Sequence, residues 1–365
     1  MFAQTRRVGH NVMRAAIISQ GSLSSKWIAE ELKKVFDDVD VLDIKDFEVS
    51  LGGHHPEVSY EGKPLMKDFD CIYAKGSFRY VTLLRSLTTI LGTKAYMPIR
   101  PGAFTAGHDK LLTHLKLQAA NISQPRTWVV ATAHAAKKLL KKIEYPVVMK
   151  LPAGTHGKGV MLADTAESAS SMIDALALLK QPFLLQEYIE TNGTDTRAFV
   201  IGDEVVAAMK RTAAEGEKRA NIHSGGSAIA CELDEASKQV ALETARAVGA
   251  DICAVDLLIK NKKPMVIEIN LSPGLQAITR VTKINIAQKI AKYLYAKAKE
   301  FKMKQVGVTL AQLTPDKEVI TKLDFRAGRI LLPEAATSLS KLTSQDEVSL
   351  TVAKGKITIK KGESQ

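Results

Sequence analysis

Cysteine is scarce: Cys71, Cys231 and Cys253 are the three in 365 residues. Their number is odd, their spacing wide, and no CxxC pair occurs. That excludes a disulfide framework and a structural zinc site, and it points to a reducing cytoplasm with the thiols acting as small buried apolar groups. Aromatic residues make up 5% and do not interleave with basic ones, so a base-stacking platform for nucleic acid is not expected. No apolar run approaches the about 20 residues that cross a bilayer, so no membrane span is expected. The opening MFAQTRRVGHNV is basic but has no apolar stretch, so it does not read as a secretory signal. Residues 1–12 are expected to form a disordered arm, with Met13 as the functional start.

Positive charge is in excess. The formal net charge is +12 and the pI about 9.4, which fits an anionic partner. Much of the excess falls on presumptive helix faces, at Lys137, Lys138, Lys141 and Lys142 and again at Lys289, Lys292, Lys297 and Lys299. Such runs are ordinarily solvated, which favours a small anion or acidic peptide over nucleic acid. A chain of this length fits two or three compact units.

Residues 13–107 alternate strand and helix. AAIIS (15–19) reads as a buried strand, 26–36 as an amphipathic helix, VDVLDI (39–44) and FDCIYA (69–74) as further strands, and 77–91 as a helix ending near Gly92. This rhythm predicts a parallel α/β sheet. Between the second and third strands, LGGHHPEVSYEGKP reads as a surface excursion. Its His54 and His55 lack neighbouring Cys or carboxylates and read as incidental rather than metal-binding. From residue 108 a helix is expected in HDKLLTHLKLQAA, with Leu111, Leu112, Leu115 and Leu117 as its stripe. Strands then pair antiparallel: YPVVMK with GVMLAD, and RAFVIG with EVVAAMKR across a turn at Gly202 and Asp203. Beyond residue 304, GVTLAQL, EVITKLDF, GRILL, EVSLTV and KITIKK read as short strands of a small β module. Its Lys354, Lys356, Lys360 and Lys361 are compatible with an oligomerisation element, a docking site or an RNA contact.

Three constellations carry chemistry. In VVMKLPAGTHGKGV, a strand delivers Lys150 beside Gly154, Gly157 and Gly159. Glycines let backbone N–H groups approach phosphate oxygens, and a lysine adds a point charge. The spelling is not that of a Walker-type P-loop, and a generic Gly-rich hairpin fits it too. In VDLLI and VIEIN, read as antiparallel strands across a turn at Asn261, Lys262 and Lys263, Glu268 and Asn270 share a face by the period of two. Asp256 on the neighbouring strand is able to join them, giving a hard-oxygen set suited to Mg²⁺ on nucleotide phosphates; an exposed strand face is the alternative. In LLQEYIE, Gln186, Glu187, Tyr188 and Ile189 are placed to meet an adenine or its ribose. Asp195, Arg197, Lys210, Arg211, Lys218, Arg219 and Asn221 follow, and their positive groups can steady a phosphoryl group and then an oxyanion; alternatively they form an exposed basic hairpin.

Taken together, HDK, VVMK with its glycine loop, QEYIE, RANIHSGG, VDLL and EINLSPG resemble the ATP-grasp superfamily, and closely its RimK-like branch of glutamate ligases, from about residue 15 to 299. The resemblance implies an α/β ATP-grasp fold (108–304, with a small lobe 108–188 and a large lobe 189–304) after a parallel α/β domain (13–107). The β module (305–365) lies outside it. It implies Lys110 and Lys150 as phosphate lysines and Gln186 to Ile189 as the adenine hinge, with Gly157 and Gly159 in the phosphate loop. Asp195 would lie near the ribose, and Arg219 and Asn221 at the reacting phosphate as catalytic residues. Asp256, Glu268 and Asn270 would ligate two Mg²⁺ or Mn²⁺ ions, with Ser272, Pro273 and Gly274 beside the acceptor. Arg79, Arg85 and Arg280 are candidates to grip substrate carboxylates. The implied activity is a carbon–nitrogen ligase that uses ATP to add L-glutamate to an acceptor carboxylate through an acyl phosphate. The acceptor would be a protein tail, a carrier protein or a glutamyl cofactor. Another amino acid, or a non-catalytic binder of acidic tails or RNA, is the alternative. Homo-oligomers and a cytoplasmic setting are expected.

Overall fold

The computed structural model describes residues 12–53, 55–152, 159–214, 226–313, 324–326, 329–332, 343, 348–353 and 356–361. The chain divides into two compact units, Met1–Lys302 and Met303–Gln365. Among the described residues no helix is long and apolar enough to cross a membrane.

The first unit opens with β1 (Arg14–Ser19), α1 (Leu23–Leu32) and β2 (Asp38–Asp43). Ser22 caps α1 by accepting from the Ser25 N–H, so the helix starts three residues before the expected 26. It stops at Leu32, ahead of the expected 36. The segment read as a surface excursion folds into strands. β3 (Phe47–Ser50), β4 (Glu57–Tyr60) and β5 (Lys63–Pro64) form an antiparallel meander. Burial of Val58 and the packing of Phe47 on Tyr60, with ring centroids 5.0 Å apart, hold it in place. Next come β6 (Cys71–Ala74), α2 (Val81–Leu91), α3 (Pro101–His108) and α4 (Lys110–Ala119). β2, β1 and β6 make a parallel sheet in that order.

In α4 only Leu117 of the expected leucine stripe is buried. Thr113, His114 and Leu117 are buried, whereas Leu115 is 56% exposed. Helical spacing of three and four aligns the former set, not the consecutive leucines.

A four-stranded antiparallel sheet follows, ordered β7–β10–β8–β9, from β7 (Thr127–Val129), β8 (Val147–Lys150), β9 (Val160–Ala163) and β10 (Leu184–Glu187). With α5 (Ala133–Leu140) and α6 (Ala166–Leu178) it encloses its own apolar core around Met149, Ile173 and Leu185. The larger core lies under a five-stranded antiparallel sheet, β13–β12–β11–β14–β15. Its strands are β11 (Thr194–Ile201), β12 (Glu204–Thr212), β13 (Ser227–Ala230), β14 (Ile252–Lys260) and β15 (Lys263–Asn270). α7 (Glu235–Val248) and α8 (Gln276–Thr282) pack with it.

The β14–β15 turn has two residues, Asn261 and Lys262, both at positive φ; Lys263 is already strand. Cys71 and Cys253 are buried and Cys231 is half-buried, all three free. α9 (Ile286–Leu313) runs on through Gly307–Leu313, the stretch expected as a strand. Good helix formers precede it, and Pro315, which disfavours helix in the residue before it, follows. In the second unit β16 (Asp324–Arg326) pairs with β17 (Arg329–Leu331), and β18 (Val348–Ala353) with β19 (Lys356–Lys361).

Candidate active site

One face of the five-stranded sheet carries a row of charge. Arg197 on β11 pairs with Asp256 on β14, and Asp256 stands opposite Glu268 on β15. Opposed residues of an antiparallel pair project to the same side. The alignment depends on an irregularity. From the turn, Lys260 faces Lys263 and Leu257 faces Val266; a regular ladder would then oppose Asp256 to Ile267 and put Glu268 on the other face. The register instead slips by one between Asp256 and Leu257. This bulge leaves Ile267 as the extra residue and turns both carboxylates to the same side. Asn270 shares that side two residues beyond Glu268, and its Oδ1 accepts from the Ser272 N–H at 2.9 Å.

Asp256 is buried and doubly held. Arg197 donates to both of its oxygens at 2.7 Å, and Arg211 donates to Oδ2 at 2.8 Å. Arg211 also grips Asp195 through two N–H groups. Burial pushes both acids up. For Asp256 the two guanidiniums outweigh burial and hold it below the usual carboxylate range. For Asp195 burial and the Asp256 charge prevail, and it is raised. Glu268 is exposed; desolvation by the surrounding protein and the neighbouring Asp256 push it up, while Lys110, Arg197 and Lys150 pull it down less strongly.

Lys150 ends β8 and is 9% exposed. Burial lowers its pKa to about 8, with Lys110 adding to the effect and Glu268 opposing it. Lys110 opens α4, where Asp109 caps the helix through the Leu112 N–H. Gly159 adopts φ of +78°, and a side chain there would meet Leu151.

Gln186 is turned into the interior. It donates to His114 Nε2 at 3.0 Å and to Thr127 Oγ1 at 2.8 Å, while His114 Nδ1 bonds Gln124 Oε1 at 2.6 Å. Burial, with Lys150 and Lys110 nearby, lowers the His114 pKa, which keeps the imidazole neutral as this arrangement of donors requires. Glu187 is exposed and accepts from the Arg126 N–H; Ile189 is buried.

Ser272 Oγ accepts from the Gly76 N–H and donates to the Gly76 carbonyl, at 3.0 and 3.1 Å. Pro273 is buried and Gly274 exposed. Arg79, Arg85 and Arg280 are exposed, and Arg85 bonds Thr105. Gly154, Gly157, Lys218, Arg219, Asn221, His54 and Lys354 lie outside the described residues.

The arrangement therefore gathers Asp256, Glu268 and Asn270 on one face, with the positive charge of Lys110 and Lys150 felt at Glu268. Arg197 and Arg211, read from sequence only as general basic groups, are the guanidiniums that fix Asp256 and Asp195. Cross-strand spacing at Asp195/Arg211 and Arg197/Asp256 was the signal, and it needs the strand register to be read.

Similar arrangements of sheets are known. The fold matches the ATP-grasp ligase PsnB complexed with minimal precursor, Mg and ADP, with a TM-score of 0.61 at 18% identity over 78% of this chain and 98% of that one. It also matches a D-alanine–D-alanine ligase from Bacillus anthracis complexed with ATP, with a TM-score of 0.56 at 16% identity over 81% of this chain and 100% of that one. These two likenesses show the fold alone. The family model for the RimK-like ATP-grasp domain matches residues 107–294. A probable alpha-L-glutamate ligase of Picosynechococcus sp. is 38% identical over 77% of this chain and 95% of its own length. Another from Shewanella loihica is 37% identical over 79% and 97%. The chain belongs to the RimK-like ATP-grasp family and is a ligase of the class that forms carbon–nitrogen bonds.

Proposed function

We propose that the chain joins an amino acid, L-glutamate, to an acceptor carboxylate at the expense of ATP, by way of an acyl phosphate. The observation that carries this reading is the hard-oxygen face of Asp256, Glu268 and Asn270 beside Lys110 and Lys150. The near full-length similarity to probable alpha-L-glutamate ligases supports the choice of amino acid.

The donor set fits Mg²⁺ or Mn²⁺. Asn270 Oδ1 and the solvent-open Glu268 retain free lone pairs, while Asp256 has spent three of about four acceptor directions on arginine N–H groups. Glu268 and Asn270 are thus the leading ligands, with Asp256 adding its remaining direction. Held there, such an ion would supply positive charge to a phosphoryl group.

The protein's own groups divide the remaining work. Lys110 and Lys150 hold the phosphates, and Gly159, at positive φ, lets the backbone close on them. Residues Gln186 to Ile189 meet the adenine through backbone groups, since the Gln186 amide is committed to His114 and Thr127. Asp195, bound to Arg211, serves to orient that arginine rather than to bond a ribose. Arg219 and Asn221, outside the described residues, are assigned to the reacting phosphate on the family resemblance of their sequence alone. Ser272 and Gly274 line the acceptor side, with Arg79 and Arg280 at the rim. The acceptor carboxylate attacks the γ-phosphorus, ADP leaves, and the incoming amine displaces phosphate from the acyl carbon.

Treating cell extract and candidate acidic peptides with enzyme, ATP, Mg²⁺ and isotope-labelled glutamate is expected to give ADP and labelled glutamyl additions detectable by mass spectrometry. ATP hydrolysis indifferent to any carboxylate and amine pair would overturn the reading.

Lys150 makes a second expectation. A polyphosphate binds its ammonium form, so affinity for Mg·AMP-PNP should be constant below pH about 8 and fall above it. The limiting slope is about tenfold per pH unit. Lys150→Arg should remove the inflection; titration calorimetry from pH 6.5 to 9.5 checks both.

A further inference from the structure

The parallel sheet of the first hundred residues holds a charge that the active-site row does not use. Lys75 follows β6 directly, is 4% exposed, and forms no ion pair with a carboxylate among the described residues. The Tyr73 ring faces its ammonium group, 5.7 Å from the centroid. A buried ammonium is costly unless an anion compensates it, and burial alone lowers its pKa to about 8. Lys67 in the same domain shows the usual arrangement, with Asp38 and Asp40 at 3.0 and 2.7 Å.

The position of Lys75 in the topology has meaning. In the order β2–β1–β6, the chain leaves β1 for β2 on one side and returns to β6 on the other. Open parallel sheets bind ligands in the crevice outside the carboxyl ends of the strands at such a switch point. The Lys75 N–H donates to the Ile18 carbonyl at that end, and the Ser77 N–H donates to Gln20 Oε1 across it. The same crevice is tied to the charged row: Gly76 is bonded in both directions to Ser272, whose N–H is held by Asn270.

We propose that Lys75 is a specificity-determining residue that binds a substrate carboxylate in the crevice between the ends of β1 and β6. This rests on the ligase reading above, in which both the amino acid and its acceptor bring carboxylates. The site takes a carboxylate anion, either from the incoming amino acid or from the acceptor.

The test uses the full chain with Mg·AMP-PNP bound, titrated with L-glutamate and separately with N-acetyl-Glu-Glu. Lys75→Met is expected to weaken one of the two probes at least tenfold, with AMP-PNP affinity unchanged and Tm no lower than wild type, because an uncompensated charge is removed. Lys75→Arg should restore affinity to within about threefold, an order-of-magnitude allowance for the bulkier guanidinium. Loss for glutamate assigns the amino-acid site, and loss for the acetylated dipeptide assigns the acceptor site. Unchanged binding of both probes in Lys75→Met, absence of binding of either to the wild type, or a lowered Tm with equal loss of AMP-PNP affinity each overturns the proposal. Binding is read without turnover. A wild type that binds a probe through Lys75 yet forms no amide would count against the ligase reading alone.

Discussion

Replacing Glu268 with glutamine is expected to lower acceptor-dependent ADP formation by on the order of 10²–10³-fold, the several kcal/mol that a metal site contributes to phosphoryl transfer at about 1.36 kcal/mol per decade. Folding should not suffer. Desolvation and the adjoining Asp256 raise the folded-state pKa of Glu268, so its ionised form opposes folding at neutral pH. A carboxyl with a raised folded pKa binds more protons in the native state, so its cost fades as pH falls through that pKa. The glutamine variant should therefore match or exceed wild type in Tm at pH 7.5, with the difference shrinking as pH is lowered. Scanning calorimetry at several pH values, paired with an ADP-release assay, separates the two effects. Near-normal turnover in this variant would remove Glu268 from the site.

Arg211→Met is expected to show the opposite pattern, a large loss of stability. Arg211 is buried and shared by two buried acids, Asp195 and Asp256. Among the described residues its removal leaves Asp195 with no ion-pair partner and Asp256 with Arg197 alone. Breaking one side of a buried pair costs about 3–5 kcal/mol, chiefly because the other charge is stranded. Chemical denaturation should show this, and Asp195→Asn in the same background should recover part of it by removing the stranded charge. A loss below about 1 kcal/mol, the range of a surface pair, would mean that the network is solvated and has no structural role.

The two variants separate what the charged row is for. Glu268 sits at the open end of the row and costs stability, as groups kept for chemistry often do. Arg211 sits at the closed end and supplies the countercharge that lets Asp256 remain ionised inside the sheet.

Much of this was readable from local pattern. Alternation in VIEIN puts Glu268 and Asn270 together whatever the surroundings, because side chains repeat every two residues along a strand. Lys150 at the end of an apolar strand beside glycines was readable for the same local reason. The inward face of α4 was readable only in part: of the four leucines Leu117 is buried, but Thr113 and His114 complete that face, with His114 bonded to Gln186 and Gln124. The strand expected at Gly307–Leu313 was overridden by the helix that precedes it.

Local sequence determined which residue types were present and which lay two or four positions apart: the oxygen donors, the two lysines Lys110 and Lys150, the strand–helix rhythm of the first domain. Tertiary structure decided the partners. A one-residue slip in the β14–β15 ladder, invisible in a list of residues, turns Asp256 and Glu268 to one side. Strands β11 and β12, distant in sequence from β14, then deliver Arg197 and Arg211 to neutralise Asp256. Periodicity acts within a strand, whereas register is set between strands, so the charge balance of the site exists only once the sheet has formed.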